Sequence, residues 1–172
     1  MKTLEVRTRG QIYIDAVRRL LLWHLLSERT PYYLVSEFPR CGGSWVAQML
    51  AAYLEVPFPR NASVSLLRRR PCVLHGHHMP RKRFRNALYV LRDGRDAVVS
   101  AYFHELFPND RNPHWAVERT RAELNFRDIH DVNGNMPRFI EYKFTTWASR
   151  RCHFSWARFT EAVITSHAHV IR

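Results

Sequence analysis

The sequence predicts an α/β fold, a central parallel sheet in a three-layer arrangement with helices. Three observations carry this. Short β-rich runs alternate along the chain with stretches of helix-forming residues. The first run passes into a helix through a glycine-containing loop. Hydrophobic residues make up 46% of the 172 residues, enough for one globular core.

The elements follow in order. Residues 11–27 read as a helix, because Ile12, Val17, Leu20, Leu21 and Leu25 recur at helical spacing with Arg18, Arg19 and Glu28 elsewhere. Residues 1–30 thus form an N-terminal helical extension, packed on the domain or, in the rival reading, lying as a basic amphipathic helix on a membrane surface. Pro31 ends it. Tyr32 to Phe38 is a short β-rich run, Pro39 to Ser44 a turn, and Trp45 to Leu54 an apolar helix. Residues 32–54 are therefore a strand–loop–helix unit of P-loop-like type. Residues 56–70 are irregular. Cys72 to His75 and Ala87 to Arg92 are the second and third strands, and Ala97 to Leu106 is the helix after the latter.

Residues 108–135 are polar and rich in Pro, Asn, Asp and Gly, which predicts a mobile loop or irregular excursion. Residues 136–151 and 155–167 read as helices, and 168–172 as the opening of a fourth strand. Because the sequence stops inside that strand, residues 1–172 are expected to be one partial domain whose C-terminal part is missing.

The 27 Lys and Arg against 15 Asp and Glu give a formal net charge of +12, which favours an anionic partner. Cys41, Cys72 and Cys152 have no regular spacing and form no disulfide framework. The apolar run from Leu20 to Leu26 is too short for a membrane span and makes a poor signal peptide, which favours the cytoplasm. Asn61-Ala62-Ser63 fits the glycosylation sequon, a tripeptide common by chance.

Two segments carry chemistry. In the first, Phe38-Pro39-Arg40-Cys41-Gly42-Gly43-Ser44-Trp45, a turn before a helix aims backbone N–H groups and the helix dipole at an anion. Gly42 and Gly43 allow close approach, Arg40 adds charge and Ser44 a hydroxyl donor. The Lys-Ser/Thr pair of a Walker A sequence is missing. In the second, Arg92 stands at a strand end, where α/β proteins bind ligands, and Ser100 lies eight residues on in the next helix. An Arg and a Ser so placed can converge on one phosphate.

Together the two segments resemble those of sulfotransferases that use 3′-phosphoadenosine-5′-phosphosulfate (PAPS). Residues 38–45 resemble the loop that holds the 5′-phosphosulfate. Arg92 through Ser100, with Tyr102, resembles the 3′-phosphate motif. The resemblance covers residues 32–106 well and 136–172 loosely, where Ser155-Trp156 and the strand ending Val170-Ile171-Arg172 take part.

It implies that Arg40 neutralises the leaving phosphate, and that Cys41, Gly42, Gly43, Ser44 and Trp45 hold the 5′-phosphate and adenine. It implies that Arg92 and Ser100 bind the 3′-phosphate. In Leu74-His75-Gly76-His77-His78-Met79-Pro80 it implies that His78 is the catalytic base, or His77 after a one-residue slip. Arg40 replaces the usual Lys, and because some branches with Arg here use a carboxylate base, Glu37 is an alternative. Cys41 replaces a Ser. The implied activity is sulfuryl transfer to an acceptor alcohol, phenol, lipid, carbohydrate or amine, with PAPS as co-substrate, PAP as product and no metal.

Two rivals compete. Cys72, His75, His77, His78 and Cys152-His153 match no standard zinc spacing. The runs Arg68-Arg69-Arg70 and Arg81-Lys82-Arg83-Phe84-Arg85 would suit a non-enzymatic nucleic-acid- or polyanion-binding protein, although solvated faces explain such runs more often. No specific nucleic-acid partner is expected.

Overall fold

The computed structural model describes residues 14, 17, 31–59, 70–81, 86–109, 112, 114–150, 153–166 and 169–171, with the side chains of 147–150 and 169–171 excepted. Of the helix expected over 11–27 only Ile14 and Val17 are described, both helical and exposed. The sequon, Cys152 and most of the two basic runs lie outside the described residues.

Chain order is β1 (Tyr32–Glu37), α1 (Gly43–Tyr53), β2 (Cys72–Gly76), β3 (Ala87–Val90), α2 (Gly94–Leu106), α3 (His114–Leu124), α4 (Val132–Arg150), α5 (Trp156–Thr165) and β4 (His169–Ile171). The fold is α/β. Four strands form one sheet in the order β2-β1-β3-β4. Every pairing is parallel, with Val35 opposite His75, Glu37 opposite Val90, and Tyr89 opposite Val170.

β1 pairs on both sides, which explains why it is an almost continuous buried run rather than an alternating one. Alternation along the strands still sorts its side chains between two apolar clusters. Tyr32, Leu34, Cys72, Leu74, Ala87 and Tyr89 join the larger one with Tyr102, Phe139, Phe154 and Phe159 from the helices. Val35, Val73 and Val90 join the smaller one with Ala47 and Ala51 of α1. Helix α1 faces the sheet with Gly43, Ala47 and Ala51, one turn apart, and these small side chains let its backbone come close. Glu37 has the parity of Val35, and His75 and His77 have the parity of Val73. All three therefore belong to the α1 face, at the C-terminal end of the sheet.

The expectation of an irregular stretch over 108–135 is corrected. It contains all of α3 and the first turn of α4. Helix α3 is polar on most of its surface but buries Val117, Thr120 and Leu124, a narrow stripe at spacings of three and four. Helix α4 starts a turn earlier than the expected residue 136, because the Asp131 carboxylate accepts the Gly134 N–H at 3.0 Å and caps it. The short link between α3 and α4 is fastened to α2. Tyr102 donates its hydroxyl to the Ile129 carbonyl at 2.8 Å, and Asn135 donates to the Tyr102 oxygen at 2.9 Å. Ser155 caps α5 by accepting the Arg158 N–H at 3.2 Å. Among the described residues no helix is long and apolar enough to cross a membrane.

Candidate functional site at the strand ends

The loop between β1 and α1 turns sharply. Arg40 has φ 74° and Gly42, the residue before α1, has φ 94°. The left-handed conformation is free for Gly42 but costs about 1–2 kcal/mol at Arg40, so Arg40 is held there by its surroundings. Its guanidinium shows what holds it. Nε and Nη2 both donate to the Ser100 hydroxyl of α2, at 3.2 and 3.1 Å. Sixty positions apart in sequence, these two residues meet at the strand ends.

Arg92 follows β3 and approaches the same loop. Its Nη1 lies 3.5 Å from the Arg40 carbonyl oxygen, and its Nε lies 3.5 Å from Asp96. Trp156 of α5 anchors the segment by donating its indole N–H to the Arg92 carbonyl at 3.1 Å. The indole rests so close to Gly94 that a Cβ there would meet it at 3.2 Å, so any side chain would push the indole back by a few tenths of an ångström. Asp93 caps α2 by accepting the Arg95 N–H at 2.9 Å. Hydrogen bonds from Arg95 also draw the Asp93 carboxyl down to about 2.

Around the start of α1 lies a second cluster, which the sequence shows only in pieces. The Glu37 carboxylate accepts the Gly43 N–H through Oε2 and stands 2.9 Å from His75 Nε2 through Oε1. His75 Nδ1 lies 3.4 Å from the Ser44 hydroxyl. His77 Nδ1 donates to the Glu37 carbonyl oxygen at 3.0 Å, since a carbonyl can only accept. The Glu37 side chain is 5% exposed and that of His75 18%, so solvent reaches the cluster from the His75 side. His75 is the residue that motif comparison misses. The signal that finds it is parity, because His75 near the end of β2 and His77 just past it share one side of the sheet with Glu37 on β1.

Arg40, Ser100 and Arg92 come together, and Gly43 and Ser44 join Glu37 and His75. Trp45 stands apart at 70% exposure, on the outer side of α1. Cys41 is buried, and burial pushes its thiol up to about 12, with the nearby Glu37 charge adding to the effect. His78 is fixed through its backbone. Ser36 Oγ accepts its N–H at 2.8 Å and donates to its carbonyl at 2.9 Å, while the imidazole packs over Gly76. Cys72 lies in the larger core, away from the histidines.

Compared with known proteins, the chain matches no protein-family model, no curated protein and no solved structure.

Proposed function

We propose that the chain is a sulfotransferase domain of three-layer, P-loop-like architecture that binds PAPS at the C-terminal edge of its sheet. The observation that carries the reading is the meeting of Arg40 with Ser100, beside Arg92. Two segments that sequence resemblance assigns to opposite ends of one sulfonucleotide lie next to one another.

In this reading the acceptor oxygen attacks sulfur in line, the bond from sulfur to the bridging phosphate oxygen breaks, and PAP departs. Negative charge gathers on the leaving phosphate, where Arg40 stabilises it, while the Gly43 N–H is already held by Glu37. The acceptor proton passes to an imidazole, His78 in the family pattern. Glu37 is buried against Gly43 and His75, which suits it to orienting His75 rather than meeting an acceptor itself. Gly42 and Ser44 serve the 5′-phosphate, and Arg92 with Ser100 the 3′-phosphate.

The experiment is calorimetric titration of the chain with PAP, with ATP and 5′-AMP as controls and Arg92→Ala beside the parent. PAP should bind more tightly than both controls, and Arg92→Ala should lose that preference by about tenfold or more, the effect of removing a hydrogen bond to a charged group. Equal binding of all three nucleotides by the folded parent would contradict the reading.

A further inference from the structure

We infer that Glu37, His75 and His77 form a binding site for a transition-metal divalent cation, with zinc as the best match. This goes beyond the sulfonucleotide reading and does not rest on it. One oxygen of Glu37 and one nitrogen of each imidazole lie within 4.8 Å of one another. Glu37 Oε1 and His75 Nε2 are 2.9 Å apart, and a tetrahedral ion with bonds of about 2.0–2.1 Å fits once this pair opens by about half an ångström and His77 completes the set.

Three features separate this cluster from a chance grouping. The first is backbone placement. Parallel pairing of β1 with β2 sets Val35 opposite His75, and alternation then carries Glu37, His75 and His77 onto one face. The ligands come from the ends of adjacent strands rather than from mobile side chains on a surface.

The second is that each ligand also has an outer hydrogen-bond partner. Gly43 N–H holds Glu37 Oε2, which leaves Oε1 toward His75. His77 donates Nδ1–H to the Glu37 carbonyl, an outer hydrogen bond that would make Nε2 its ligating atom. The Ser44 hydroxyl stands at His75 Nδ1. When a cation takes the place of the proton between Glu37 Oε1 and His75 Nε2, the ring proton moves to Nδ1, and Ser44 Oγ changes from donor to acceptor. A ligating histidine whose second nitrogen donates to an oxygen is the usual arrangement around zinc.

The third is donor chemistry. Two imidazoles and one carboxylate suit zinc, cobalt or nickel, whereas magnesium and calcium prefer oxygen donors alone. Three protein ligands leave a fourth position, for water or an anion oxygen, on the side where His75 meets solvent.

The full chain, stripped with chelator and then dialysed, is titrated with zinc by calorimetry and with cobalt by visible absorption. The expected result is one equivalent bound with four- or five-coordinate cobalt bands and no thiolate charge-transfer band. His77→Ala and His75→Ala should each weaken binding by more than the roughly 10–100-fold that loss of an outer partner brings. Ser44→Ala should fall inside that range. His153→Ala should bind like the parent. His77 is only half-buried, so its variant keeps the test decisive if a Glu37 variant fails to fold. Absence of saturable binding by the folded chain, unchanged affinity in both histidine variants, or a thiolate band would overturn the inference. PAP titration with chelator present tests the sulfonucleotide reading separately.

Discussion

Two buried carboxylates answer to the same chemistry in opposite ways. Glu105 of α2 accepts two hydrogen bonds from Lys143 of α4 at 2.9 and 3.0 Å, and the two side chains are 7% and 5% exposed. Glu37 is buried as deeply, but its partner His75 opens to solvent and touches a serine at the start of a helix. The first pair is sealed between helices, with the Lys143 ammonium also 5.9 Å from the Phe139 and Tyr142 ring centroids. A sealed pair can only hold the structure together. An open pair at strand ends can exchange a proton or take a ligand. The contrast teaches that partner exposure, rather than carboxylate burial, separates a structural pair from a reactive one.

The comparison can be broken at several points. Lys143→Ala removes the ammonium that pairs with a buried carboxylate and should destabilise the fold by about 3–5 kcal/mol, read from urea unfolding. A loss below about 1 kcal/mol would mean that water reaches Glu105 and the pair is not sealed. Gly43→Ala sets a methyl 2.7 Å from the Glu37 carboxyl carbon and 3.0 Å from His75 Nε2. It should destabilise by about 1–3 kcal/mol and lower both cation and PAP binding.

His75→Ala should cost the fold only about 1 kcal/mol, because Gly43 N–H still satisfies Glu37 and solvent can replace the imidazole. An effect as large as that of Lys143→Ala would make the Glu37 cluster structural and erase the contrast. The smallest effect concerns Cys41. Its thiol, pushed up by burial, should resist iodoacetamide at pH 8 in the folded chain and react on denaturation, as followed by peptide mapping. Rapid alkylation in the folded state would show that the loop opens.

Much of the fold was legible. Strands β1 to β3 read as short apolar runs, and the helices after β1 and β3 announced themselves through Gly42-Gly43 and Asp93-Gly94. Helix α3 was hidden, because three inward residues suffice for a helix whose other sides meet solvent, and its composition then looks like a loop. The start of α4 was hidden because its first turn, Val132-Asn133-Gly134-Asn135, has the composition of a loop and depends on the Asp131 cap. For the site, motif spacing pointed to Arg40, Arg92 and Ser100. The Glu37–His75 contact depends on strand order and register, which place residues thirty-eight positions apart on neighbouring strands. No local pattern encodes that distance.

The most direct test of the central claim is a double-mutant cycle on PAP affinity with Arg40→Ala, Ser100→Ala and the pair. If both segments form one anion site, each single change should weaken PAP by about tenfold. The double variant should then be little worse than the weaker single, a coupling of about 0.5–3 kcal/mol. Strictly additive losses, or PAP affinity untouched by either change in folded protein, would contradict the account.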